Sequence, residues 1–349
     1  MEIARRQPRL KDLSQALGLS ITTVSRALAG YDDVSPSTQE RVRSKARELG
    51  YVPSRAGRML VSGATNAVSL VIPARDPAFI DPFLGAFITG LGEGLARSER
   101  DLFIATVSRG QDEIEVIRHI VQGGRADGIV LTRTQLEDPR IGFLLDQGFP
   151  FVSHGRSLGE KRPHLWYDSD GERAFAEAAQ LLIGLGHRRF GLLTIEEPFS
   201  FAHYRRRGLE QALEGAGLAL SPDRILATPR GDDDALRAAC HRILTVEPRP
   251  SAVLCVVDEL ALCLLETAAR LGLSVPEQLS VVGFDNLPVA AYAKPGLSTF
   301  DHEPKTGGER VAEMLAPQPG PTAETQAPIL APARFVPRGS HGAVPAEDR

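Results

Sequence analysis

The chain has 349 residues, of which 42% are hydrophobic, enough for a small head and a larger body. Residues 1–60 hold 11 Lys and Arg against 6 Asp and Glu, a net of +5, whereas the remainder holds 29 against 38, a net of −9. The N-terminus lacks an apolar signal-like core and no later run is long enough to span a membrane, which excludes secreted and membrane-spanning proteins and predicts a cytoplasmic one. A basic end on an acidic body suits contact with phosphates through that end alone.

Two short helices with a tight turn between them are predicted near the N-terminus. Apolar residues recur at helical spacing from Leu10 to Leu17, stop at Gly18, and resume in a new phase at Val24. Ser20 is a favourable N-cap for the second helix. This pattern is typical of a helix-turn-helix, whose second helix reads base edges with its first exposed residues.

A third helix and a short basic segment follow. Ser35 and Pro36 are suited to the start of the helix, and Gly50 is suited to its end. The segment from Pro53 to Leu60 is basic, short and weakly helical, so it cannot hold a fold alone. We expect this segment to be a conditional helix, which forms only when contacts outside the segment support it.

The order of these motifs resembles the LacI/GalR family of bacterial repressors. The matching segments are Leu10-Lys-Asp-Leu, Ala16-Leu-Gly-Leu-Ser, Thr23-Val-Ser-Arg, Arg41-Val, Leu49-Gly-Tyr-Val-Pro and Ala56 to Leu60. The match has no gap, and it includes a hinge that a generic helix-turn-helix would not reproduce. It implies a DNA-binding domain at 1–52, a hinge helix at 53–63, and an effector-binding and dimerisation domain at 64–349. The alternative is a structural three-helix cap whose arginines are merely solvated.

The resemblance also implies which residues contact DNA. The implied major-groove readers are Ile21, Thr22 and Arg26, and the implied contacts to phosphates or base edges are Ser20, Thr23 and Ser25. The other implied DNA-binding residues are Leu10, Tyr51, Arg55, Ala56, Gly57 and Leu60. Leu60 is implied to enter the minor groove at the centre of a palindrome. Gly57 stands where the family usually has alanine. Because glycine disfavours a helix by roughly 1 kcal/mol relative to alanine, the hinge is expected to fold less readily.

The body alternates short apolar runs with helical patterns, which predicts an α/β fold with parallel sheets covered by helices. The predicted strands are Ala67 to Ile72, Leu102 to Val107, Gly128 to Leu131, Phe151 to Ser153, Phe190 to Leu193, Ala252 to Val256, Ser280 to Gly283 and Ala333 to Val336. The predicted helices are Phe83 to Arg97, Asp112 to Gln122, Arg173 to Leu185, Tyr204 to Gly215, Asp233 to Leu244 and Glu259 to Leu271.

The resemblance continues through the body at lower specificity. Its segments include Leu185-Gly-His-Arg-Arg, Val257-Asp258, Ser280-Val-Val-Gly-Phe-Asp-Asn286 and Leu297-Ser-Thr. They imply a two-lobed effector domain like the type I periplasmic binding proteins, with three crossovers and a small molecule between the lobes. The first lobe is predicted at 64–157 and 290–316, and the second at 158–289 and 317–349.

Nine residues are predicted to contact the effector. They are Asp81, Phe83, Arg156, Trp166, Asp168, Asp170, Arg205, Asp285 and His302. By resemblance, Asp285 accepts ligand hydroxyls and Arg205 offers a donor fork for paired oxygens. The alternatives are a structural ion pair for these two, packing for Trp166 and a helix cap for Asp81.

The effector is predicted to be a small carbohydrate. Val257, Gly155 and His302 stand where the family commonly has Asn, Asp and Gln, so amides are fewer and imidazole surface is larger. That change favours a sugar with an apolar face, such as an oligosaccharide or a glycoside. A nucleobase stays open.

No catalytic motif is present, and we predict no enzyme, no cofactor and no metal site. The run Gly90-Leu-Gly92-Glu-Gly94 suggests a dinucleotide loop. That motif requires its third glycine at position 95, where this chain has Leu95, and the run lies inside a helical pattern. Cys240, Cys255 and Cys263 lie on apolar segments and are predicted as buried small hydrophobes. The remote alternative is a metabolite-binding enzyme with an appended DNA-binding head.

The predicted function is sequence-specific transcriptional regulation. The simplest form is a repressor that a small carbohydrate releases from its operator, and the alternative is a corepressor-type regulator responding to a purine or another metabolite. The predicted partners are double-stranded operator DNA of pseudo-palindromic sequence and a sugar or glycoside. Two heads must meet a two-fold operator, which predicts a homodimer.

Overall fold

The structure, a computed structural model, describes residues 8–51, 64–73, 82–108, 110–316 and 327–344. The chain divides into two compact units, Met1–Thr65 and Asn66–Arg349. Five residues with predicted roles lie outside the described residues, namely Arg55, Ala56, Gly57, Leu60 and Asp81. The hinge helix at 53–63 therefore stays a prediction.

The first unit contains three helices packed around one small core. They are α1 (Leu10–Leu17), α2 (Ile21–Ala29) and α3 (Pro36–Leu49). The Oγ of Ser20 accepts a hydrogen bond from the Thr23 amide at 3.0 Å, which caps α2 as predicted. Each helix ends at a glycine in the left-handed conformation. The core residues are Leu13, Val24, Ala27, Val34, Val42 and Ala46. The predicted helix-turn-helix and third helix are confirmed.

The second unit contains two parallel sheets and one antiparallel ribbon. The strands of the first sheet are β1 (Ala67–Pro73), β2 (Asp101–Val107), β3 (Gly128–Leu131), β4 (Phe151–His154), β5 (Leu165–Ser169) and β11 (Ile329–Ala331). The strands of the second sheet are β6 (Phe190–Ile195), β7 (Ile225–Thr228), β8 (Ala252–Cys255) and β9 (Ser280–Val282). The ribbon pairs β10 (Thr299–Asp301) with β12 (Arg334–Val336). The sheet orders are β11-β5-β4-β3-β1-β2 and β7-β6-β8-β9.

Helices cover both sheets. They are α4 (Pro82–Arg97), α5 (Glu113–Gln122), α6 (Pro139–Asp146), α7 (Gly171–Gly184), α8 (Ser200–Gly215), α9 (Asp233–Thr245), α10 (Asp258–Arg270) and α11 (Pro304–Met314). Along β1, Leu70 and Ile72 pack towards α4 while Val71 packs towards α5, so both faces of the first sheet are buried. The predicted α/β fold is confirmed. In the part of the chain that the structure describes, no helix has the length and apolar character needed to cross a membrane.

Strand pairing corrects the three predicted crossovers. Strand β5 pairs with β4, so the chain leaves the first sheet after Ser169 rather than at 157. Ser298 bridges to Val282 of the second sheet, and α11 packs on α4, so the chain returns between Asp301 and Pro304 rather than at 289. Strand β11 pairs with β5 while β12 pairs with β10, which puts the third crossing at 332–333 rather than at 316. A short strand has the same sequence pattern whichever sheet it joins, so the sequence could not locate these crossings.

Two glycines let α4 approach α11 closely. A Cβ on Gly90 would lie 1.9 Å from the carbonyl oxygen of Lys305, and one on Gly94 would lie 2.5 Å from the Cβ of Ala312. Nonbonded atoms do not approach each other this closely, so a side chain at either position would push the two helices apart. The glycine run in α4 therefore serves helix packing.

Gly90→Ala is expected to destabilise the second unit by about 1–3 kcal/mol, because the added methyl group overpacks a backbone contact. Gly92→Ala is the matched control, since a Cβ there meets nothing within 4 Å. Alanine favours the helix, so the control is expected to gain up to about 1 kcal/mol. Urea unfolding of both variants tests this, and equal stabilities would contradict the close packing of α4 on α11.

Candidate functional site

A cleft of about 810 Å³, counted out to its open mouth, lies beyond the carboxyl ends of the two parallel sheets. Phe83, Thr134 and His154 contribute to it from the first lobe. Arg205 and Asp285 contribute from the second lobe. Parallel sheets bind ligands beyond these strand ends. A ligand here would touch both lobes.

Five of the predicted effector residues line this cleft, and three described ones do not. The lining residues are Phe83, Asp168, Arg205, Asp285 and His302. The other three are Arg156, Trp166 and Asp170. Five residues from five separate segments of the chain thus come together in space.

Arg205 and His302 converge on the carboxylate of Asp285. The Nη2 of Arg205 lies 4.0 Å from Asp285 Oδ1, and the Nε2 of His302 lies 3.4 Å from the same oxygen. Arg205 also donates through Nη1 to the carbonyl of Val256, and its guanidinium lies on the face of Phe284 at 3.5 Å. Burial lowers the pKa of Arg205 to about 10, against the opposing effect of Asp285, so the guanidinium stays charged at neutral pH.

Asp285 has a backbone conformation that side-chain-bearing residues rarely adopt. Its φ is 121°, and strain of this kind is common where a protein holds a ligand-binding group in place. The neighbouring loop is fixed by Asp258, whose carboxylate accepts from Thr299 Oγ1 at 2.6 Å and from the Leu287 amide at 2.8 Å. Burial and the nearby Asp285 raise the pKa of Asp258 to about 7. Asp258 is therefore a positioning residue for the Asp285 loop.

Two nitrogens in the cleft wall have no hydrogen-bond partner among the residues that the structure describes. They are Nε of Arg205 and Nε2 of His302. Both side chains are buried, with 5% of each residue exposed. The other ring nitrogen of His302 is held by Ser169 Oγ at 2.9 Å, which fixes the ring plane. A buried polar group without a partner costs about 1–3 kcal/mol, so a ligand that pairs both nitrogens would be stabilised accordingly.

Arg156 and Asp168 form an ion pair at the edge of the cleft. Arg156 Nε lies 2.8 Å from Asp168 Oδ2, and its guanidinium lies between the rings of Tyr204 at 3.9 Å and Trp166 at 5.7 Å. Burial raises the pKa of Asp168, and Arg156 opposes that rise. Arg156 thus orients Asp168, whose Oδ1 accepts a hydrogen bond from the Ser169 amide at 2.9 Å.

Trp166 and Asp170 lie apart from the predicted residues that line the cleft. Trp166 lies on the same face of β5 as Asp168 but two residues further from the carboxyl end, so its ring packs on Arg156 outside the cleft. Asp170 caps α7 by accepting a hydrogen bond from the Arg173 amide at 3.1 Å. Neither side chain is among the residues that line the cleft.

The cleft also contains residues that were not among the predicted contacts. They include Thr132, Thr134, His154, Phe201, Arg230, Val257, Glu259 and Leu287. His154 packs against Phe83 and Phe87 with ring centroids 5.2 and 5.0 Å apart. Burial, with help from His302 and Arg205, lowers the pKa of His154 to about 3, so this part of the wall is uncharged. Of these residues, Thr132, His154 and Val257 directly follow predicted strands, a position that many loop residues outside a site also have.

The first unit presents the predicted recognition residues on one helix. Ile21 is 47% exposed, and Thr22 and Arg26 are also exposed on α2. Arg26 forms an ion pair with Asp33 at 2.6 Å and lies over the ring of Tyr31 at 4.9 Å. The predicted contacts Ser20, Thr23 and Ser25 lie on the same stretch of chain, where Ser20 and Thr23 share the helix cap. Leu10 and Tyr51 pack against the core of the three helices.

Comparison with known proteins relates both units to one family. The description "Bacterial regulatory proteins, lacI family" matches residues 9–54, and "Periplasmic binding protein-like domain" matches residues 179–341. The chain is 36% identical over 311 residues to the HTH-type transcriptional regulator AglR of Rhizobium meliloti (strain 1021), covering 88% of this chain and 86% of that protein. The chain belongs to the LacI family.

Other LacI-family proteins extend this likeness over nearly the whole chain. The HTH-type transcriptional regulator CelR of Thermobifida fusca is 32% identical over 328 residues, which cover 93% of this chain and 95% of CelR. A solved structure titled as a complex of the transcriptional regulator CelR with cellobiose has a TM-score of 0.71 at 28% identity, covering 96% of this chain and all of that one. This LacI-family chain is a DNA-binding transcriptional regulator.

Proposed function

We propose that this LacI-family regulator is a repressor whose homodimer binds a pseudo-palindromic operator and leaves it when a small carbohydrate fills the cleft. The observation that carries the proposal is the group of polar atoms around Asp285. A carboxylate acceptor lies beside the unpaired nitrogens of Arg205 and His302. Neighbouring hydroxyls of a sugar both donate and accept hydrogen bonds, so they match this mixed set.

The remaining walls also suit an uncharged sugar. Phe83 and Phe201 offer aromatic surface to the C–H faces of a pyranose ring. The charged lining residues are Arg133, Arg205, Arg230, Asp168, Glu259 and Asp285, three of each sign. A balanced lining gives no preference to a phosphorylated or otherwise anionic ligand. The cellobiose complex of the relative CelR supports the same class of effector.

The proposed effect of the sugar passes from the cleft to the DNA-binding residues. A ligand held by both lobes favours one relative orientation of the lobes over another. This orientation changes the hinge at 53–63 in each subunit and hence the operator affinity. Couplings of this kind are typically 1–3 kcal/mol, or about 5–150-fold in affinity. The cleft binds its ligand reversibly in the cytoplasm and carries out no reaction.

Fluorescence anisotropy with labelled DNA from upstream of the protein's own gene tests the proposal. We expect tight binding that requires the intact palindrome and weakens about 5–150-fold with one member of a panel of mono- and disaccharides. A version of the DNA with one scrambled half-site is the control. Stronger binding on adding a purine would instead indicate the corepressor alternative, and insensitivity to every sugar would contradict the carbohydrate proposal.

A further inference from the structure

A groove on the second lobe adjoins the cleft, and we call it the side chamber. It measures about 1180 Å³, counted out to its open mouth, and lies between α9 and α10 beyond the carboxyl ends of β6 and β7. Arg230, Val257 and Glu259 line both the cleft and the side chamber. The two spaces are therefore neighbours that meet at these three side chains.

The lining of the side chamber is suited to a neutral, hydroxyl-rich group. Its charged residues are Arg230, Asp232, Asp233, Arg237, Glu259 and Glu266, two cations against four carboxylates. The excess of negative charge disfavours phosphate groups and carboxylates. Leu236 and Leu260 add apolar surface, as the C–H faces of a sugar require.

We propose that the effector is an oligosaccharide of at least two units, with one unit in the cleft beside Asp285 and the next in the side chamber. This proposal rests on the carbohydrate-binding role proposed for the cleft. Val257 lines both spaces with a short apolar side chain, and Arg230 and Glu259, which also line both, place charged groups where the hydroxyls of two adjoining units would meet. A monosaccharide leaves the side chamber empty.

A cysteine in the side chamber supplies a direct readout. Cys263 lines the chamber, whereas Cys240 and Cys255 are fully buried. The hydrogen bond from Cys240, with help from Thr267 and Arg237, lowers the pKa of the Cys263 thiol below its ordinary value despite its burial. Because the thiolate is the reactive form, Cys263 is expected to react with iodoacetamide at neutral pH ahead of the other two.

The test measures alkylation of Cys263 in the full-length protein by mass spectrometry, together with operator release. The added sugars are glucose, cellobiose and cellotriose, and in parallel glucose, maltose and maltotriose. In one of the sets, the di- and trisaccharide are expected to slow alkylation about tenfold when present at about ten times their Kd, and to release the operator. Glucose is expected to leave the alkylation rate unchanged. Cys263→Ser, which removes the reactive thiol, shows the background rate.

The outcomes separate the two proposals. Operator release by a disaccharide without protection of Cys263 would overturn the side chamber as a sugar site while leaving the proposed function intact. Protection by glucose as strong as by the disaccharide would overturn the length requirement. If no sugar of either set releases the operator, the carbohydrate role of the cleft and the inference built on it both fail.

A variant that fills the side chamber gives a second, independent test. Leu236→Trp adds bulk to a residue that lines the chamber and not the cleft, and it is expected to weaken disaccharide binding about tenfold, roughly 1.4 kcal/mol. Leu271→Trp is the matched control, because Leu271 is 40% exposed and lines neither space. Circular dichroism of both variants is the control for correct folding. Equal disaccharide affinities in the two variants would overturn the proposal.

Discussion

Asp285→Asn is expected to weaken effector binding about 100-fold, so that operator DNA is still bound but is no longer released. The carboxylate of Asp285 accepts hydrogen bonds from sugar hydroxyls, and bonds to a charged group are worth about 1.5–3 kcal/mol each. The amide of asparagine is uncharged and keeps only one acceptor oxygen. Asparagine tolerates the positive φ at this position, so the loop is expected to keep its conformation. Arg205 and His302 also lose their negatively charged neighbour.

The measurement is a titration of the operator complex with the releasing sugar, using Asp285→Asn and the matched control Asp146→Asn. Asp146 is exposed and pairs only at the surface with Arg162, at 2.6 Å. Surface ion pairs are worth about 0–1 kcal/mol, so the control is expected to respond like the parent. An undiminished response of Asp285→Asn would remove this residue from the effector site.

Arg26→Ala is expected to weaken operator binding about 5–150-fold and to abolish the preference at one base pair in each half-site. Arg26 pairs with Asp33 in the first unit, and an exposed pair of this kind is worth about 0–1 kcal/mol. A bidentate contact to a guanine is worth about 1–3 kcal/mol, so base contact is expected to replace the ion pair. The side chain is exposed, which means that its removal leaves the core of α1, α2 and α3 unchanged.

Binding of Arg26→Ala and Arg47→Ala to a set of operators with single base-pair changes tests this role. Arg47 is an exposed arginine of α3 that pairs with Glu40, so its loss removes the same charge from outside the recognition helix. We expect Arg47→Ala to keep the sequence preference and to lose only general attraction for phosphates. An unaltered preference in Arg26→Ala would contradict its assignment as a reader of bases.

Local sequence signals predicted most of the elements correctly. Long periodic segments, such as α4 and α10, and continuous apolar runs, such as β1 and β8, start and end within a few residues of their predicted bounds. The elements that were not predicted are β5, β7, β10, β11, α6 and α11. The four strands span only three to five residues each, too few for a pattern to stand out. Their pairing also decides where the chain crosses between the sheets.

The site was predicted in part. Phe83, Arg205 and Asp285 could be chosen because motif order and strand ends point to them, and all three line the cleft. Trp166 does not line the cleft, because it lies further from the carboxyl end of β5 than Asp168, a difference that the sequence does not show. The side chamber could not be foreseen at all. It depends on the spacing of α9 and α10, which no local pattern encodes.

The most direct measurement of the central claim is calorimetric titration of the releasing sugar into the protein, once free and once saturated with operator DNA. Thermodynamic linkage requires that bound operator lower the affinity for the sugar by the same factor by which bound sugar lowers the affinity for the operator. We expect the two factors to be equal, each within about 5–150-fold. Equal sugar affinities of the free and the operator-bound protein would show that filling the cleft does not control DNA binding.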